Sequence, residues 1–329
     1  MLLASSPNVH YNKNFNSRNI STTNTPVKLQ QGHKNLNPMW VSGLTDAEGS
    51  FIISVYKRGD NGKWQINPSF ELWLNTKDKQ TLEDLKKFFG VGIVKPRKTG
   101  ATSFTVTKNE DLVNVIIPHF NKYPLQSQKK IDFELFAKIV LMMEQGEHLT
   151  NEGLLKILSI KSALNRGLTE TILSQIQGIK ILVRPTYAVD KNAFKLIDPN
   201  WISGFVAGDG SFGIKITDRG SRFQIELRFR ITQHIRDKEL LEAIAQNLTC
   251  GKVVDRKNGL ACDLAVITIA DNTNKIIPFF TTNPVGTVKE KDFNDFVLVA
   301  KLLQEKAHLT PEGLDTIRQI KSRMNNFRV

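Results

Sequence analysis

Apolar and polar residues alternate without interruption from residue 222 to 232. Phe223, Ile225, Leu227, Phe229 and Ile231 fall on one side, and Arg222, Gln224, Glu226, Arg228, Arg230 and Thr232 on the other. A period of two with one wet face predicts an antiparallel strand lying on a core. Beyond it the apolar spacing lengthens: Leu240, Leu241, Ile244 and Leu248 recur at helical intervals and predict a helix over 237–248. Lys257-Asn258-Gly259 then marks a hairpin. Two further helices are expected to follow. The last opens at Thr310-Pro311-Glu312, where a hydroxyl cap, a first-position proline and a first-turn acid coincide. Near the start of the chain, Ser50, Ile52, Ser54 and Tyr56 share one parity and Phe51, Ile53 and Val55 the other, which again predicts a strand.

These patterns occur twice. The stretch Trp40-Val41-Ser42-Gly43-Leu44-Thr45-Asp46-Ala47-Glu48-Gly49-Ser50-Phe51 returns as Trp201-Ile202-Ser203-Gly204-Phe205-Val206-Ala207-Gly208-Asp209-Gly210-Ser211-Phe212, with six of twelve positions identical at an offset of 161. Ile116 to Phe120 matches Ile276 to Phe280, and Lys129 with Asp132-Phe133 matches Lys289 with Asp292-Phe293. His148 to Leu154 matches His308 to Leu314, all three at an offset of 160. Blocks kept in order at nearly one offset indicate a tandem duplication. The expected architecture is therefore α+β, two pseudo-twofold related α-β-β-α-β-β-α(-α) units with helices on one face of each antiparallel sheet. The boundaries read 1–37 leader, 38–167 first repeat, 168–198 linker and 199–329 second repeat.

The 329 residues suit two domains that each close a core. Hydrophobic residues at 40% and charged residues at 23% exclude wholesale disorder. Cys250 and Cys262 make neither a disulfide scaffold nor a zinc pattern. No apolar run reaches the roughly 20 residues of a membrane span. The leader is rich in Asn, Ser and Thr, carries Lys13, Arg18, Lys28 and Lys34, and has no acid. A transit segment, a disordered tail and a translational-fusion remnant all fit it. In the linker, Ile179 to Val183, followed by Arg184-Pro185, is expected to add a strand.

Charge changes the picture most. Forty-five Lys and Arg against 32 Asp and Glu give +13, which points to a polyanionic partner. The basic residues gather on the wet sides of the expected strands and their hairpins. The first repeat offers Ser54, Tyr56, Lys57, Arg58, Lys63, Lys95, Arg97 and Lys98. The second offers Lys215, Arg219, Arg222, Gln224, Arg228, Arg230, Arg256 and Lys257. Ordinary solvated faces mix Glu with Lys, whereas Arg, Gln, Ser and Lys on an exposed sheet suit base edges in a major groove. A strand of about ten residues reaches roughly 33 Å, so two sheets end to end would cover about 20 base pairs. A duplicated unit would read a pseudo-palindromic site.

Glu48 and Asp209 occupy the same place in the two repeats. A single Ala-Glu-Gly would read as a helix end capped by a left-handed glycine. Duplication, with Gly43 and Gly204 five residues upstream, argues instead for two helices in close backbone contact. Their C-terminal ends would then bring both carboxylates together at the negative poles of two dipoles. Like charges so placed call for divalent cations, with water-rich Mg²⁺ the fitting choice, and such a pair beside phosphate suits in-line phosphodiester hydrolysis.

The duplicated Trp-[Val/Ile]-Ser-Gly-[Leu/Phe]-x-x-x-[Glu/Asp]-Gly-Ser-Phe resembles the LAGLIDADG motif of homing endonucleases, in the monomeric two-repeat form of fungal mitochondrial introns. The resemblance covers residues 38–327. It implies sheets that form a DNA-binding saddle, and a site-specific enzyme that cuts both strands across the minor groove with short 3′ overhangs. It implies metal ligation by Glu48 and Asp209 and by the carbonyls of Ala47 and Gly208. Mg²⁺ is the expected ion, with Mn²⁺ able to substitute and Ca²⁺ supporting binding without cleavage. Lys129 and Lys289 take the place of the basic residue near the scissile phosphate. Gln233 takes that of the glutamine that orients the attacking water, where the first repeat has Leu74. Asp46 becomes Ala207 with no expected loss of activity. The resemblance also implies a mitochondrial setting and a monomer acting on double-stranded DNA. An intron-RNA maturase of the same fold, and a regulator that has lost cleavage, are the alternative functions. His148, His308, Trp40 and Trp201 read as packing residues, and Asp132 and Asp292 as helix N-terminal acids.

Overall fold

A computed structural model describes residues 36–59, 62–98, 100–186, 197–220 and 223–325. The leader up to residue 35, part of the linker and the base-reading candidate Arg222 lie outside the described residues.

Each repeat begins with a short helix started by sequence signals at its first turn. Helix α1 (Pro38–Glu48) has Asn37 as its cap, whose side chain accepts from Met39 N, and Pro38 at the first position. Helix α8 (Pro199–Asp209) repeats this with Asp198 and Pro199. The two helices pack against each other at the distance their glycines allow. A β-carbon on Gly43 would overlap the Trp201 carbonyl oxygen and come 2.8 Å from Phe205 N; one on Gly204 would overlap the Trp40 carbonyl oxygen. The expected close backbone approach is therefore present, reciprocally.

Gly49 and Gly210, which follow the acids, do not adopt the left-handed cap. Their φ values are −79° and −81° with extended ψ, so each already belongs to the strand it opens. Glycine is required there for space, since a β-carbon on Gly49 would lie 2.7 Å from Thr45 O.

Strands β1 (Gly49–Lys57), β2 (Trp64–Asn75), β3 (Ile93–Pro96) and β4 (Ala101–Val106) form an antiparallel sheet in the order β1-β2-β4-β3. Strands β5 (Gly210–Asp218), β6 (Phe223–His234), β7 (Lys252–Asp255) and β8 (Ala261–Val266) repeat it as β5-β6-β8-β7. The registers correspond: Gly49 lies opposite Leu72 as Gly210 lies opposite Ile231. Strand β6 shows the expected alternation, with Ile225, Leu227, Phe229 and Ile231 buried. Helices α2 (Lys79–Phe89) and α9 (Lys238–Asn247) cross between the second and third strands.

The core is a phenylalanine cluster built twice. Phe51 packs against Phe70, Phe120, Phe133 and Phe136. Phe212 packs against their counterparts Phe229, Phe280, Phe293 and Phe296. Such ring pairs add about 0.5–1.5 kcal/mol each beyond the area they bury.

Three helical segments, rather than two, close each repeat. In the first, α3 (Asn109–Asp111), a π-helical turn over Leu112–Ile116 and α4 (Ile117–Lys122) run on continuously, followed by α5 (Lys129–Glu144) and α6 (Asn151–Ser162). In the second they are α10 (Ile269–Asp271), the π turn Asn272–Ile276, α11 (Ile277–Thr282), α12 (Lys289–Gln304) and α13 (Pro311–Ser322). The extra segment is interrupted by the π-helical turn and carries a proline, Pro118 or Pro278, just after it, which hid its helical period. Thr310 caps α13 by accepting from Gly313 N at 3.1 Å, as the sequence indicates.

The linker does not form the expected strand. It contains α7 (Glu170–Gln175) and then runs without regular structure to residue 186. Serines on α6 take its backbone donors: Ser159 Oγ accepts from Lys180 N and Ser162 Oγ from Leu182 N. Arg184 ends the run by donating to both oxygens of Asp132 at 2.5 and 2.9 Å. Asp132 thus anchors the linker and the Asn165 backbone as well as standing in the first turn of α5. No helix among the described residues is long and apolar enough to cross a membrane.

Candidate active site

Helices α1 and α8 end side by side, and each ends on an acid. Glu48 and Asp209 are both half-buried. Burial raises the Glu48 carboxyl above its ordinary range, although Lys289 and Lys129 draw it down. Asp209 is pushed up to about 7, by burial first and then by the negative charge of Glu48. Asp209 therefore senses the charge of Glu48. The space between the helix ends is tight, since a β-carbon on Gly208 would lie 2.9 Å from Glu48 Cγ.

Lys129 and Lys289 enter this site from the first residues of α5 and α12. Lys129 Nζ donates to the carbonyls of Thr45 at 2.9 Å and Ala47 at 3.3 Å. Lys289 Nζ donates to Val206 O at 3.0 Å and Gly208 O at 2.6 Å. These carbonyls lie in the last turns of α1 and α8, where a cation opposes the helix dipole; Thr45 O and Val206 O also accept the backbone N–H of Gly49 and Gly210. Burial lowers both amines, Lys289 to about 8, while the neighbouring carboxylates hold them up. Compensation of the two acids is thus shared with two lysines, a partnership that the sequence-based reading assigned to cations alone.

Gln233 lies two residues beyond the partner of Gly210 on β6, and its amide Nε2 donates to Asp209 Oδ2. At the matching place on β2 stands Leu74, which is buried. The two acids are accordingly unequal, one held by an amide and the other without that donor.

The donor set suits a hard cation with few protein ligands. It comprises two carboxylates that repel each other and the second lone pairs of the Ala47 and Gly208 carbonyls. Among the described residues no group of three or more His, Cys, Asp or Glu side chains comes together. A cation here would keep water on most of its sphere, as Mg²⁺ does.

The LAGLIDADG endonuclease family model matches the chain twice, over residues 41–140 and 202–300. The chain belongs to the LAGLIDADG endonuclease family. It is 35% identical over 306 residues to a protein of Neurospora crassa named probable intron-encoded endonuclease 3, a match covering 91% of this chain and 55% of that one. The chain thus spans about half the length of that relative. The I-LtrWI LAGLIDADG homing endonuclease, solved bound to target DNA, superposes with a TM-score of 0.84 at 40% identity, covering 89% of this chain and 98% of that chain. I-SmaMI, solved bound to uncleaved DNA target in the presence of calcium ions, gives 0.84 at 38% identity, covering 88% and 99%.

In this LAGLIDADG chain the wet faces of both sheets carry the expected polar residues, many of them already engaged. Ser54, Tyr56, Arg58, Lys95 and Lys98 are exposed in the first repeat, as are Lys215, Arg219, Gln224, Arg256 and Lys257 in the second. Arg97 stacks over Trp73 at 4.6 Å and donates to Ser103 Oγ at 2.8 Å. Arg228 donates to Glu226 Oε2, and Arg256 to both oxygens of Asp263, which Arg230 also approaches at 4.0 Å. Arg219 donates to Gln224. The face is a mesh of fixed side chains with acids woven in, more than a bare basic surface.

Several residues of consequence escaped the sequence reading. Glu71, Trp73 and Asp263 belong to the wet faces, with Ser103 buried on the same side beneath Arg97, and a full parity count of β2, β4 and β8 would have found them. Asp46 is buried and accepts from Gln126 N, Ser127 N, Ser127 Oγ and Trp201 Nε1. It holds the loop that leads into Lys129. The second repeat has Ala207 there and holds the corresponding loop with Glu290, which accepts from Val285 N and Gly286 N. Trp40 and Trp201 are buried, and each indole N–H bonds across to the other repeat, to Val285 O and to Asp46. His148 and His308 sit before their helix caps with Nδ1 buried and lacking a hydrogen-bond partner among the described residues.

Proposed function

We propose that this chain is a site-specific homing endonuclease that makes a staggered double-strand break, with short 3′ overhangs, in a pseudo-palindromic DNA target of roughly 20 base pairs. The observation that carries this reading is the pair Glu48 and Asp209, half-buried at two adjoining helix ends with Lys129 and Lys289 beside them, Asp209 being raised to about 7. Acids crowded together and drawn out of water, so that ionising both is unfavourable without a cation, are a poor choice for stability and a good one for charge-driven catalysis.

In this reading Glu48 and Asp209 hold Mg²⁺, which supplies charge neutralisation at the phosphate and activation of water. Mn²⁺ is expected to substitute, and Ca²⁺ to support binding without cleavage. The chain's own residues do the rest. Lys129 and Lys289 present positive charge beside the developing negative charge of the phosphate. Gln233, by donating its amide N–H to Asp209, fixes its carbonyl oxygen to accept from a water molecule. The absence of that amide at Leu74 makes the two strands chemically unequal. Arg97, Arg228, Arg230 and their neighbours read base edges, held in place by Trp73, Glu226 and Asp263 before DNA arrives.

The chain acts as a monomer, because both halves of the pseudo-twofold are supplied by one polypeptide. The intron-encoded relative and the resemblance to fungal mitochondrial enzymes support an organellar, intron-borne gene. The test is cleavage of a target duplex by the wild type and by Glu48→Gln and Asp209→Asn. The reading expects loss of double-strand cleavage with DNA binding retained. Loss of specific binding in both variants would mean that the acids hold the fold instead.

A further inference from the structure

The two helices that begin at the site lysines are each entered through a backbone N–H bonded to a carboxylate of the opposite repeat. Gln128 N, one residue before Lys129, donates to Asp237 Oδ1 at 2.8 Å. Val288 N, one residue before Lys289, donates to Asp78 Oδ1 at 2.8 Å. Asp78 and Asp237 close the 3₁₀ turns Thr76–Asp78 and Ile235–Asp237, which follow β2 and β6 directly. They stand four residues beyond Leu74 and Gln233, and each is followed by a lysine that opens the next helix. The same crossing bond is made twice, in both directions across the pseudo-twofold.

We propose that Asp78 and Asp237 are positioning residues acting across the repeat boundary, Asp237 setting Lys129 and Asp78 setting Lys289. The inference rests on the proposed role of the two lysines. A carboxylate at the entrance of a 16-residue helix meets the positive pole of its dipole and satisfies a backbone donor that the helix leaves free. It thereby fixes the first turn, and the lysine is the first residue of that turn. Each lysine must reach two carbonyls at the end of another helix, Thr45 and Ala47 or Val206 and Gly208. Its flexible stem makes that reach dependent on where the turn begins. Within its own repeat each entry loop is held by a second acid, Asp46 or Glu290, on the other side. Each lysine is thus triangulated by its own repeat and by the partner repeat, and neither half-site is complete without the other.

A helix cap that served stability alone would lower the melting temperature and slow both strands alike. Positioning chooses a strand. The test uses the full chain and its target duplex with a different dye on each strand, under single turnover in Mg²⁺. Lys129→Ala and Lys289→Ala first identify the strand each lysine serves. Asp237→Ala is expected to slow the Lys129 strand by about tenfold and leave the other nearly unchanged, with DNA binding in Ca²⁺ preserved. Asp78→Ala should do the same to the Lys289 strand. Asp237→Asn and Asp78→Asn keep an oxygen acceptor and should restore most of the rate. Equal slowing of both strands, slowing of the strand served by the lysine of the mutated repeat, or no effect overturns the proposal.

A second readout separates this failure from failure of the lysine assignment. In ¹³C-lysine protein without DNA, Asp237→Ala should move the Lys129 side-chain resonance and leave that of Lys289. If the lysine variants do not distinguish the strands, the assigned catalytic role falls and this spectrum decides the positioning alone. A Lys129 resonance that stays in place then overturns it.

Discussion

Asp209→Asn should stabilise the metal-free protein while abolishing cleavage. Asp209 is held at about 7 against an ordinary 3.8, by burial and by Glu48. At about 1.4 kcal/mol per unit, its ionised form costs the fold about 4 kcal/mol above pH 7. That figure already includes the attraction to Lys129 and Lys289; burying an amide NH₂ in place of one carboxylate oxygen takes back about 1–3 kcal/mol, leaving a net gain of about 2 kcal/mol. The hydrogen bond from Gln233 survives, because the Asn oxygen still accepts. The sign with pH follows. A carboxyl whose folded pKa exceeds its unfolded one favours folding below about pH 4 and loses that advantage as pH rises toward 7. Urea unfolding in EDTA at pH 4 and pH 8 measures the difference, which should be small at pH 4 and full at pH 8. Added Mg²⁺ should then stabilise the wild type, by about 2.7 kcal/mol at a hundredfold excess over its dissociation constant, and leave the variant unmoved. A variant less stable than the wild type at pH 8 in EDTA, or one that keeps the Mg²⁺ response, would refute the reasoning.

Gly204→Ala should destabilise the chain by about 3 kcal/mol or more in chemical denaturation, because the added methyl overlaps the Trp40 carbonyl and backbone must move. His119 is half-buried and desolvation lowers it to about 3, so the wild type should lose stability as pH falls from 6.5 toward 3; His119→Phe, which copies Phe279 of the second repeat, should flatten that slope in acid unfolding curves. Leu74→Gln should speed cleavage of the slower strand by about tenfold in a strand-resolved nicking assay, at a stability cost of about 1–3 kcal/mol for the buried amide. Arg228→Ala should relax specificity at one or two base pairs by about 1–3 kcal/mol in competition binding, with its partner Glu226 left facing the duplex.

Much of this molecule was legible because it is written twice. The recurrence of Gly43-x-x-x-x-Glu48 as Gly204-x-x-x-x-Asp209 carried both the helix contact and the acidic pair, and alternation in β6 carried the sheet. What escaped was of two kinds. Local period failed where a segment is short or interrupted, as in the π turn and proline of residues 112–122 and in the apolar linker run that proved to be unstructured chain on serines of α6. Partnership failed where the contact is long-range: no local pattern says that Lys129 reaches Ala47, that Asp46 receives Trp201, or that Asp237 receives Gln128. Asp78-Lys79 does recur as Asp237-Lys238 at the offset of the strands before it, so the repeat held a signal for these acids. Its meaning depends on the crossing of two repeats, which spacing alone does not express. Glu226 and Asp263 show the same limit on the wet face, since basic counts overlook the acids that hold the bases still.

The central claim is that Glu48 and Asp209 form one metal-dependent site for cutting both strands. The most direct measurement exposes a library of randomised duplexes, seeded with candidate intron insertion sites, to the pure protein in Mg²⁺ and in Ca²⁺, and sequences the ends. Defined cuts with short 3′ overhangs in Mg²⁺ only, lost in Glu48→Gln and in Asp209→Asn while enrichment of bound target persists, are what the account predicts. Binding without cutting in either metal, or cutting that survives both substitutions, would contradict it.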